Sequence, residues 1–430
     1  MYVLDVNESF HGVGQGLFYS SELRVYLKQK PKGFSFIYDC GSEKRQTFLR
    51  NEILKYKKIN LHSQVLNLLI ISHLHKDHIS GLDDLLSGSI VKQVVLPYLS
   101  AIERLYLAVS QNAMGWYADF LSNPTEYLQN KRVETIYYLT KGEGEKNQPP
   151  SDQNNLGYGG EDLILNIKHL EDGNNFEKEL TNQNVFFKKD SKAVFLNQFW
   201  SFLLYVSPTD PESLIHFQEC VKKKFNNRSL LDIIRTPNDL KELKDCYKLI
   251  SPDINLTSLS CLHGPSTKIQ ILYDSSFSSN CCFHPDFIIK NFDLLRHYWD
   301  DFKICCLHHC EPFYRRWEEK IRLAKSYTHL LGDINTIKEW KTITYRYNHL
   351  FDRIEFFQVP HHGSKKSWLA NGISQNISPN KYIISAGIRN QYGHPDKTVL
   401  DDIYQNCSYC DVEWVNEYHS FANRKIFLLN

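Results

Sequence analysis

The sequence predicts an α/β fold, and three observations carry this prediction. Short apolar segments broken by glycine open the chain, as in "MYVLDV" (1–6) and "GFSFIYDCGS" (33–42), and this pattern is typical of β-strands. A segment with helical spacing, "QTFLRNEILKYKKI" (46–59), precedes the buried-strand pattern "VLNLLIISH" (65–73). Histidine and aspartate cluster directly after this strand, at the C-terminal strand end where α/β folds place their sites.

The composition is that of a globular protein with a large core. Of its 430 residues, 42% are hydrophobic, and this length favours two or three structural units. Fifty basic and forty-nine acidic residues leave a net charge of +1, which argues against a globally basic nucleic-acid binder and leaves a local basic patch open.

The sequence also predicts where the protein is found. Its apolar runs fall short of the roughly 20 residues that span a bilayer, and its N-terminus lacks the basic and apolar regions of a secretory signal. We therefore expect a cytoplasmic protein with no membrane association, whose eleven cysteines are reduced thiols.

The middle of the chain, residues 99–250, differs from both flanks. Helical patterns cover 100–122 and 124–139, a Gly/Pro/Asn-rich loop occupies 141–160, and a strand is predicted at 198–207. We interpret this segment as an insertion or a lid, because strand patterns return after it. The chain is therefore predicted to have three units, residues 1–98, 99–250 and 251–430.

Metal-ligand chemistry is concentrated in "SHLHKDHISGL" (72–82), which contains an HxHxDH pattern. Its members are His73, His75, Asp77 and His78. Imidazole nitrogens and a carboxylate suit Zn²⁺ or a similar divalent ion. Alternate residues of a turn can direct two histidines at one ion, while the following aspartate and histidine face a second. Such density directly after a strand predicts a metal site rather than a chance group of surface histidines.

Further motifs, in order along the chain, resemble those of the metallo-β-lactamase superfamily and most of all the hydrolase domain of the DNA-uptake protein ComEC. "HGVGQG" (11–16) is similar to that family's VGQGD, and "YDCGS" (38–42) to its D-x-G turn. The later motifs resemble LLTGD, KVPHHGS and S-x-G-x-N-x-Y-GHP, and they are "HLLGDI" (329–334), "QVPHHGSKKS" (358–367) and "ISAGIRNQYGHPDKTVL" (384–400). The resemblance covers residues 1–97 and about 250–430. It implies a metallo-β-lactamase αβ/βα four-layer sandwich with a largely helical insertion and a two-metal site at its edge.

The resemblance also implies roles for single residues. Asp333 is the expected carboxylate bridging two ions, and His394 is expected to close the second metal position. The full implied metal set is His73, His75, Asp77, His78, Asp333 and His394. His362 best matches the histidine that protonates the leaving oxygen in ribonuclease Z and the β-CASP nucleases, with His361 as a ligand or supporting alternative. The implied catalytic residues are Asp77, His361 and His362, and the implied substrate-binding residues are Ser364, Lys365, Lys366 and Asn390.

Two positions depart from the family pattern. Asn255 or Asp253 stands where most of the superfamily has a third-motif histidine, and ComEC domains have a similar asparagine. An oxygen ligand there favours Mn²⁺ or a mixed pair of ions over a zinc-selective site. Leu17 replaces the aspartate of VGQGD, which weakens the case for a ComEC-like grip on substrate.

The function implied is hydrolysis of phosphodiester bonds, most of all by a DNA nuclease that uses water activated by two divalent ions, Zn or Mn. Fold alone does not choose among chemistries, so a cyclic-nucleotide phosphodiesterase, a lactonase or a thioesterase remains open. A non-catalytic interaction module in a multi-protein system is a further alternative. Related stand-alone domains occur in bacterial immunity loci beside an NTPase, which leaves such a partner and a role in bacterial defence open. The sequence leaves the oligomeric state undetermined.

Three cysteine-containing stretches are weaker candidates. "CCFH" (281–284) and "CCLHHC" (305–310) offer ligands for a structural zinc, but their spacing is not a clean CxxC…CxxC, and buried thiols are common in an α/β insertion. The zinc ligands would come from Cys281, Cys282, Cys305 or Cys310 with His284 or His308. "CSYC" (407–410) has the CxxC spacing of redox sites but lacks a second pair nearby.

Overall fold

The fold is known from a computed structural model. It describes residues 2–27, 30–43, 46–60, 64–141, 165–166, 171–172, 184–190, 194–196, 199–209, 211–225, 228–248, 257–266, 269–274, 325–407 and 409–429. Several sequence predictions lie outside these ranges: the loop 141–160 apart from Lys141, the third-motif candidates Asp253 and Asn255, and the cysteine/histidine cluster 281–310.

The described strands, in chain order, are β1 (Tyr2–Phe10), β2 (Phe18–Leu27), β3 (Lys30–Cys40), β4 (Val65–Ile70), β5 (Ile90–Pro97), β6 (Val133–Thr140), β7 (Leu165–Asn166), β8 (Glu171–Asp172), β9 (Val185–Lys189), β10 (Val194–Leu196), β11 (Trp200–Ser207), β12 (Ser258–Pro265), β13 (Ile269–Asp274), β14 (Tyr327–Leu330), β15 (Ile354–Gln358), β16 (Lys381–Ser385), β17 (Asp411–Val415) and β18 (Phe421–Leu429). Within the described ranges they form two sheets. The first has the order β13-β18-β1-β2-β3-β4-β5-β6-β9-β8, and the second β17-β16-β15-β14-β12-β11-β10-β7.

The described α-helices are α1 (Gln46–Asn60), α2 (Lys76–Ile79), α3 (Leu82–Leu86), α4 (Ala101–Ser110), α5 (Trp116–Ser122), α6 (Pro124–Asn130), α7 (Ile215–Lys224), α8 (Leu230–Arg235), α9 (Pro237–Glu242), α10 (Lys244–Lys248), α11 (Thr336–Tyr347) and α12 (Lys397–Asn406). Short 3₁₀ segments cover Pro211–Leu214, Asn348–Arg353 and Pro360–Gly363. Ser100 caps α4 through a reciprocal capping box with Glu103.

Among the described residues, three apolar clusters separate four layers. One lies between the first sheet and helices α1 and α3–α10 and includes Leu49, Leu85 and Phe217. A second fills the space between the two sheets, and a third lies between the second sheet and helices α11 and α12. Each sheet thus buries both faces, one against the other sheet and one against helices. The predicted αβ/βα sandwich is confirmed.

Both sheets direct their parallel strands toward one edge of the sandwich. β3, β4, β5 and β6 pair in parallel in the first sheet, and β14, β15, β16 and β17 do so in the second. The turn 72–78 follows β4, whereas Asp333, the His361–His362 pair and the loop 386–396 follow β14, β15 and β16. The predicted site residues therefore come from C-terminal strand ends, as the α/β pattern requires.

The structure corrects the secondary structure predicted for the middle of the chain. The helix predicted over 124–139 ends at Asn130, and Val133–Thr140 forms β6, because its β-branched and aromatic residues bury against both faces of the first sheet. The helix predicted over 100–122 is two helices, interrupted where Asn112 and Gly115 adopt positive φ. Segment 99–250 contributes strands to both sheets, and the division into three units stays a prediction.

The cysteines also differ from expectation. Cys220 and Cys246 join α7 to α10 in a disulfide, and Cys407 and Cys410 form a second. In both pairs the Cα atoms lie within the 4.4–6.8 Å range that a disulfide requires, at 5.7 and 5.4 Å. Among the described residues, Cys40 and Cys261 are the reduced, buried thiols.

Within the same ranges, no helix combines the length and the apolar character that a bilayer crossing requires.

Candidate metal centre

The turn 72–78 is fixed from several sides before any ion is considered. It leaves β4 into the short helix α2, whose first residues are Lys76 and Asp77. The hydroxyl of Tyr117, on α5, donates to the Leu74 carbonyl oxygen at 2.9 Å. The Lys76 ammonium donates to the Gln111 carbonyl oxygen at 2.7 Å. Helices of the middle segment thus hold the backbone that carries His73, His75 and His78.

Glycines of the two N-terminal motifs pack directly on this turn. A Cβ on Gly16 would lie 2.2 Å from the Gly41 carbonyl oxygen and 2.7 Å from that of Asp77. A Cβ on Gly41 would lie 2.4 Å from the His78 carbonyl carbon. These contacts are backbone to backbone, so no side-chain rotation could relieve them. The glycines of "HGVGQG" and "YDCGS" therefore let the backbone approach the metal turn.

Substituting Gly41 with alanine is expected to displace residues 77–79 and to lower the free energy of unfolding by about 1–3 kcal/mol or more, as overpacking does. Chemical denaturation measures the loss, and it should coincide with weaker metal binding. Gly33→Ala is the matched control, because a Cβ there meets nothing within 4 Å. Equal stability of the two variants would contradict this account of Gly41.

Asp333 lies in the loop after β14, and this loop is held by hydrogen bonds to the neighbouring strand β15 and the residues that follow it. Leu331 and Gly332 donate their backbone N–H groups to the side-chain oxygen of Gln358, at 2.7 and 2.8 Å. His361 donates its N–H to the Gly332 carbonyl oxygen at 3.0 Å. Gly332 has a φ of +54°, and a Cβ there would lie 2.8 Å from Ser72. The loop after β14 is thus packed against the turn after β4.

Imidazole nitrogens surround the Asp333 carboxylate. Its Oδ1 lies 3.1 Å from His78 Nε2 and 3.9 Å from His362 Nε2. Its Oδ2 lies 3.5 Å from His73 Nε2 and 3.7 Å from His361 Nε2. The Asp77 carboxylate lies 3.1 Å from His362 Nε2. Side chains from β4, β14 and β15 ends therefore converge on one place.

Two sets of ligand atoms, each within a span of 4.8 Å, can be drawn around this carboxylate. One set is His73, His75 and Asp333, and the other is Asp77, His78, Asp333 and His362. Asp333 belongs to both. Nitrogen and carboxylate oxygen ligands of this kind suit Zn²⁺ and other first-row divalent ions.

Unsatisfied buried atoms test whether these residues fit a metal. In the described part of the chain, Nε2 of His73, Nε2 of His78 and Oδ1 of Asp333 are buried without a hydrogen-bond partner. Buried polar atoms normally find a partner, and several unsatisfied ligand atoms that face one another are what a metal site presents. The residues fit a divalent metal centre.

His362 is oriented like a metal ligand. Its Nδ1–H donates to the Ser385 carbonyl oxygen at 2.7 Å, which leaves the Nε2 lone pair facing Asp77 and Asp333. Metal-binding histidines commonly donate their second nitrogen to a carbonyl in this way. His361 and His362 both adopt left-handed backbone conformations, with φ of 51° and 57°. Such backbone strain in non-glycine residues concentrates at functional sites.

His361 and His394 lie at the outer side of the cluster. The His361 side chain is 37% exposed, and its Nδ1 lies 3.0 Å from the Ser367 hydroxyl. The His361 and His394 rings have centroids 6.1 Å apart. His394 belongs to neither set of close ligand atoms, so its predicted metal role rests on the resemblance and stays a prediction.

The charges in the cluster shift its pKa values. Burial raises the pKa of Asp333, but His361, His78 and His73 hold it well below its usual range. Burial and the neighbouring His73 lower the pKa of His75 to about 4. Burial works against a protonated His78, yet the carboxylates of Asp333, Asp77 and Asp39 raise its pKa well above the usual value. A divalent ion would replace that proton, so metal binding here is expected to release protons.

Asp39, for which the sequence predicted no role, orients the candidate ligand His78. It is fully buried, and His78 Nδ1 lies 2.7 Å from its Oδ2. Its two oxygens also accept from the Ser72 N–H at 2.6 Å and the Ser72 hydroxyl at 2.5 Å. The contact between Asp39 and Nδ1 of His78 turns Nε2 of His78 toward Asp333. The sequence pointed to Asp39 only through the "YDCGS" motif. The spacing of that motif did not predict that Asp39 contacts His78.

Substituting Asp39 with asparagine is expected to weaken metal binding by roughly 10–100-fold, the usual effect of removing a ligand's hydrogen-bond partner. Asparagine keeps the shape and tolerates the φ of 57° at this position. Isothermal titration of the metal-free protein with Zn²⁺ or Mn²⁺ measures the change. Asp84→Asn is the control, since Asp84 pairs with Arg50 at the exposed surface; equal affinities in both variants would refute the role of Asp39.

The predicted substrate residues lie near the centre but differ in availability. Ser364 is buried and accepts a hydrogen bond from the Lys366 N–H at 3.4 Å. Lys365 and Lys366 are exposed, and the Lys365 ammonium lies 3.4 Å from Asp396. The Asn390 amide is engaged with its own loop: it donates to Gly387 and His394 and accepts from Tyr392 and His394. A substrate contact by Asn390 would have to replace one of these bonds, and all four substrate roles stay predictions.

Comparisons with known proteins agree with the motifs. Residues 25–108, which include the turn 72–78, match the family model of the metallo-beta-lactamase superfamily. No curated protein sequence matches the chain. Similar solved structures include the metallo-beta-lactamase fold protein YhfI from Bacillus subtilis, at 7% identity and a TM-score of 0.33 over 97% of this chain and 99% of that one.

Two further solved structures are similar to different fractions of this chain. The archaeal metallo-beta-lactamase superfamily protein ST1585 from Sulfolobus tokodaii is 16% identical, with a TM-score of 0.21 over 47% of this chain and 56% of that one. A long form RNase Z from yeast is 9% identical, with a TM-score of 0.31 over 89% of this chain and 37% of that one. The sequence match to the metallo-beta-lactamase superfamily therefore covers residues 25–108, which hold the HxHxDH and "YDCGS" motifs.

Proposed function

We propose that the protein is a metal-dependent hydrolase of the metallo-β-lactamase superfamily that cleaves phosphodiester bonds, with DNA as the favoured substrate. The ComEC-like motifs favour DNA over other substrates of the superfamily. A protein partner such as an NTPase, and a place in bacterial defence, stay predictions from the resemblance.

The single observation that carries the proposal is the shared position of Asp333. It lies in both sets of close ligand atoms, so its two oxygens can serve two adjacent ions. A pair of ions roughly 3.5–4 Å apart is the arrangement used for in-line displacement at phosphorus. When bound, divalent ions would supply a nucleophilic water at neutral pH and neutralise negative charge on the phosphate.

The chain's own residues divide the remaining work. His73, His75, Asp77, His78, Asp333 and His362 would hold the ions. This assigns His362 to binding, because its Nδ1–H is held by Ser385 and its Nε2 faces two carboxylates. His361 takes the proton-donor role, since its ring is partly exposed at the mouth of the site and lies 3.7 Å from Asp333. A general acid must lie within hydrogen-bond reach of the oxygen that it protonates.

Basic residues next to His361 can attract the phosphate backbone. Lys365 and Lys366 follow it by four and five positions and are both exposed. Asp396, 3.4 Å from the Lys365 ammonium, offsets part of that charge. Such contacts position a nucleic acid without reading its sequence.

The test is cleavage of labelled single- and double-stranded DNA and RNA by purified protein with Mn²⁺, Mg²⁺ or Zn²⁺. Bis-p-nitrophenyl phosphate, a lactone and a thioester are assayed in parallel. Metal-dependent cutting of DNA is the expected result. Turnover of the small diester alone would indicate a small-molecule phosphodiesterase, turnover of the lactone or thioester would indicate another hydrolase of the fold, and silence on every substrate would favour a non-catalytic module.

A further inference from the structure

Tyr392 stands out among the exposed aromatic side chains because it is both close to the metal centre and immobilised. Its ring is 53% exposed. It stacks on the His394 imidazole, with centroids 5.6 Å apart and an interplanar angle of 25°. Tyr404, on α12, is comparably exposed at 59%, so exposure alone does not distinguish Tyr392; its position does.

Two hydrogen bonds hold Tyr392 in place, and a third ties His394 to the same loop. Its hydroxyl donates to the Glu43 carboxylate at 2.8 Å. Its backbone N–H donates to the Asn390 side-chain oxygen at 3.0 Å, and the same oxygen accepts from the His394 N–H at 2.9 Å. Burial and the bond to Glu43 raise the pKa of Tyr392 to about 12, so the hydroxyl stays a donor at neutral pH. A ring fixed in advance loses little rotamer entropy when a planar group packs on it.

The surroundings of the ring are suited to a nucleobase. A cavity of about 180 Å³ adjoins Glu43, and Gln15, Arg389, Gln391 and Glu417 also line it. Guanidinium and amide groups are donors and carboxylates are acceptors, the kinds of group that pair with base edges, and Glu43 already accepts from Gln391 and Tyr392. His394, beneath the ring, lies 6.1 Å from His361 at the mouth of the metal centre. The His394 ring thus connects the Tyr392 ring to His361 through two successive ring contacts.

We propose, on the basis of the function proposed above, that Tyr392 is a stacking platform for an unpaired base next to the scissile phosphate. Base–aromatic stacking is sequence-tolerant, because every base presents a π-face. A base inside a continuous duplex already has both faces covered by its neighbours and must leave the stack to reach such a ring. The preferred substrate is therefore single-stranded DNA or a frayed end, with little dependence on base identity.

The experiment uses a series of single-stranded DNA oligonucleotides in which one abasic site is moved through the sequence. For the wild-type protein, kcat/KM is expected to fall roughly tenfold or more at the phosphodiester beside the missing base, since one stacked base is worth that much. For Tyr392→Leu, kcat/KM on the oligonucleotide without an abasic site is expected to fall by a similar factor. An abasic site should then cause no further fall in this variant. Tyr392→Phe, which keeps the ring, should retain the dependence.

Two controls separate stacking from support of His394. Tyr404→Leu removes an equally exposed ring outside the site and should match the wild type. A 2-aminopurine at the sensitive position should be quenched on binding to the wild type and to Tyr392→Phe but not to Tyr392→Leu. If Tyr392→Leu slows normal and abasic substrates equally, the ring acts through His394 and the platform is refuted.

Failure of the two proposals gives different results. Wild-type cutting that ignores the abasic site, or that favours continuous duplex, would overturn the platform and leave the nuclease intact. Absence of any nucleic-acid cleavage by the wild type would overturn the proposed function and the platform with it.

Discussion

Asp333→Ala is expected to abolish hydrolysis, with a loss of at least ~10³-fold in kcat/KM, because a bound ion supplies several kcal/mol of charge stabilisation and each 1.36 kcal/mol is tenfold in rate. The carboxylate faces His73, His78, His361 and His362 and is the one group in both sets of ligand atoms in the described chain. Its removal is expected to affect both ions at once. His73→Ala should give a similar loss.

A readout independent of activity accompanies this prediction. Ligands that bind only the folded state stabilise it by mass action, so added Zn²⁺ or Mn²⁺ should raise the Tm of the wild type and not that of Asp333→Ala. Asp352→Ala, at an exposed carboxylate, is the matched control and should behave like the wild type. Unchanged turnover in a folded, metal-depleted Asp333→Ala protein would end the two-metal account.

Lys425→Met is expected to destabilise the protein by about 3–5 kcal/mol, the usual effect of removing one partner of a buried ion pair. Lys425 is fully buried between the sheets, and its ammonium lies 2.6 Å from Glu8 and 2.5 Å from Glu355. Both carboxylates are themselves buried. Burial raises the pKa of Glu8, but Lys425 brings it below the usual value, so without the lysine the two acids must repel or take up a proton.

Urea denaturation at neutral pH measures this loss. The triple variant Glu8→Gln, Glu355→Gln, Lys425→Met removes the charges together and should recover much of the stability, since uncharged replacements of buried ion networks are often tolerated. Metal binding should be intact in the triple variant, because the cluster is separate from the centre at the sheet edge. If the free energy of unfolding of Lys425→Met lies within about 1 kcal/mol of the wild-type value, the contacts of Lys425 with Glu8 and Glu355 contribute little to stability.

The candidate site divides into residues that the sequence predicted and residues that it did not. HxHxDH was visible because its ligands are adjacent in the chain, and Asp333 was found through its motif at a strand end. The structure brings the HxHxDH residues and Asp333 together, and His78 Nε2 lies 3.1 Å from Asp333 Oδ1. Asp39, Gln358 and Ser385 escaped notice, because each acts by a hydrogen bond to a residue remote in sequence, and local pattern carries no information on such pairs.

The same limit explains the structural corrections. Residues 133–139 were predicted as the end of a helix, but parallel neighbours on both sides make Val133–Thr140 the strand β6. Tertiary pairing overrides local preference where a short apolar run suits either state. The disulfide between Cys220 and Cys246 likewise depends on the packing of α7 against α10, 26 residues apart in sequence.

By itself the sequence determined the α/β class, the alternation of strands and helices and the chemical type of the site, since hydrophobic periodicity and adjacent ligands are local properties. Only the tertiary structure decided which candidate ligand atoms lie close together, that His362 faces the carboxylates while His361 faces outward, and that Tyr392 is fixed on His394 at the rim. Those outcomes depend on where the ends of β4, β14, β15 and β16 meet. Their meeting point is set by the packing of two sheets against each other, a long-range effect that no single stretch of the chain encodes.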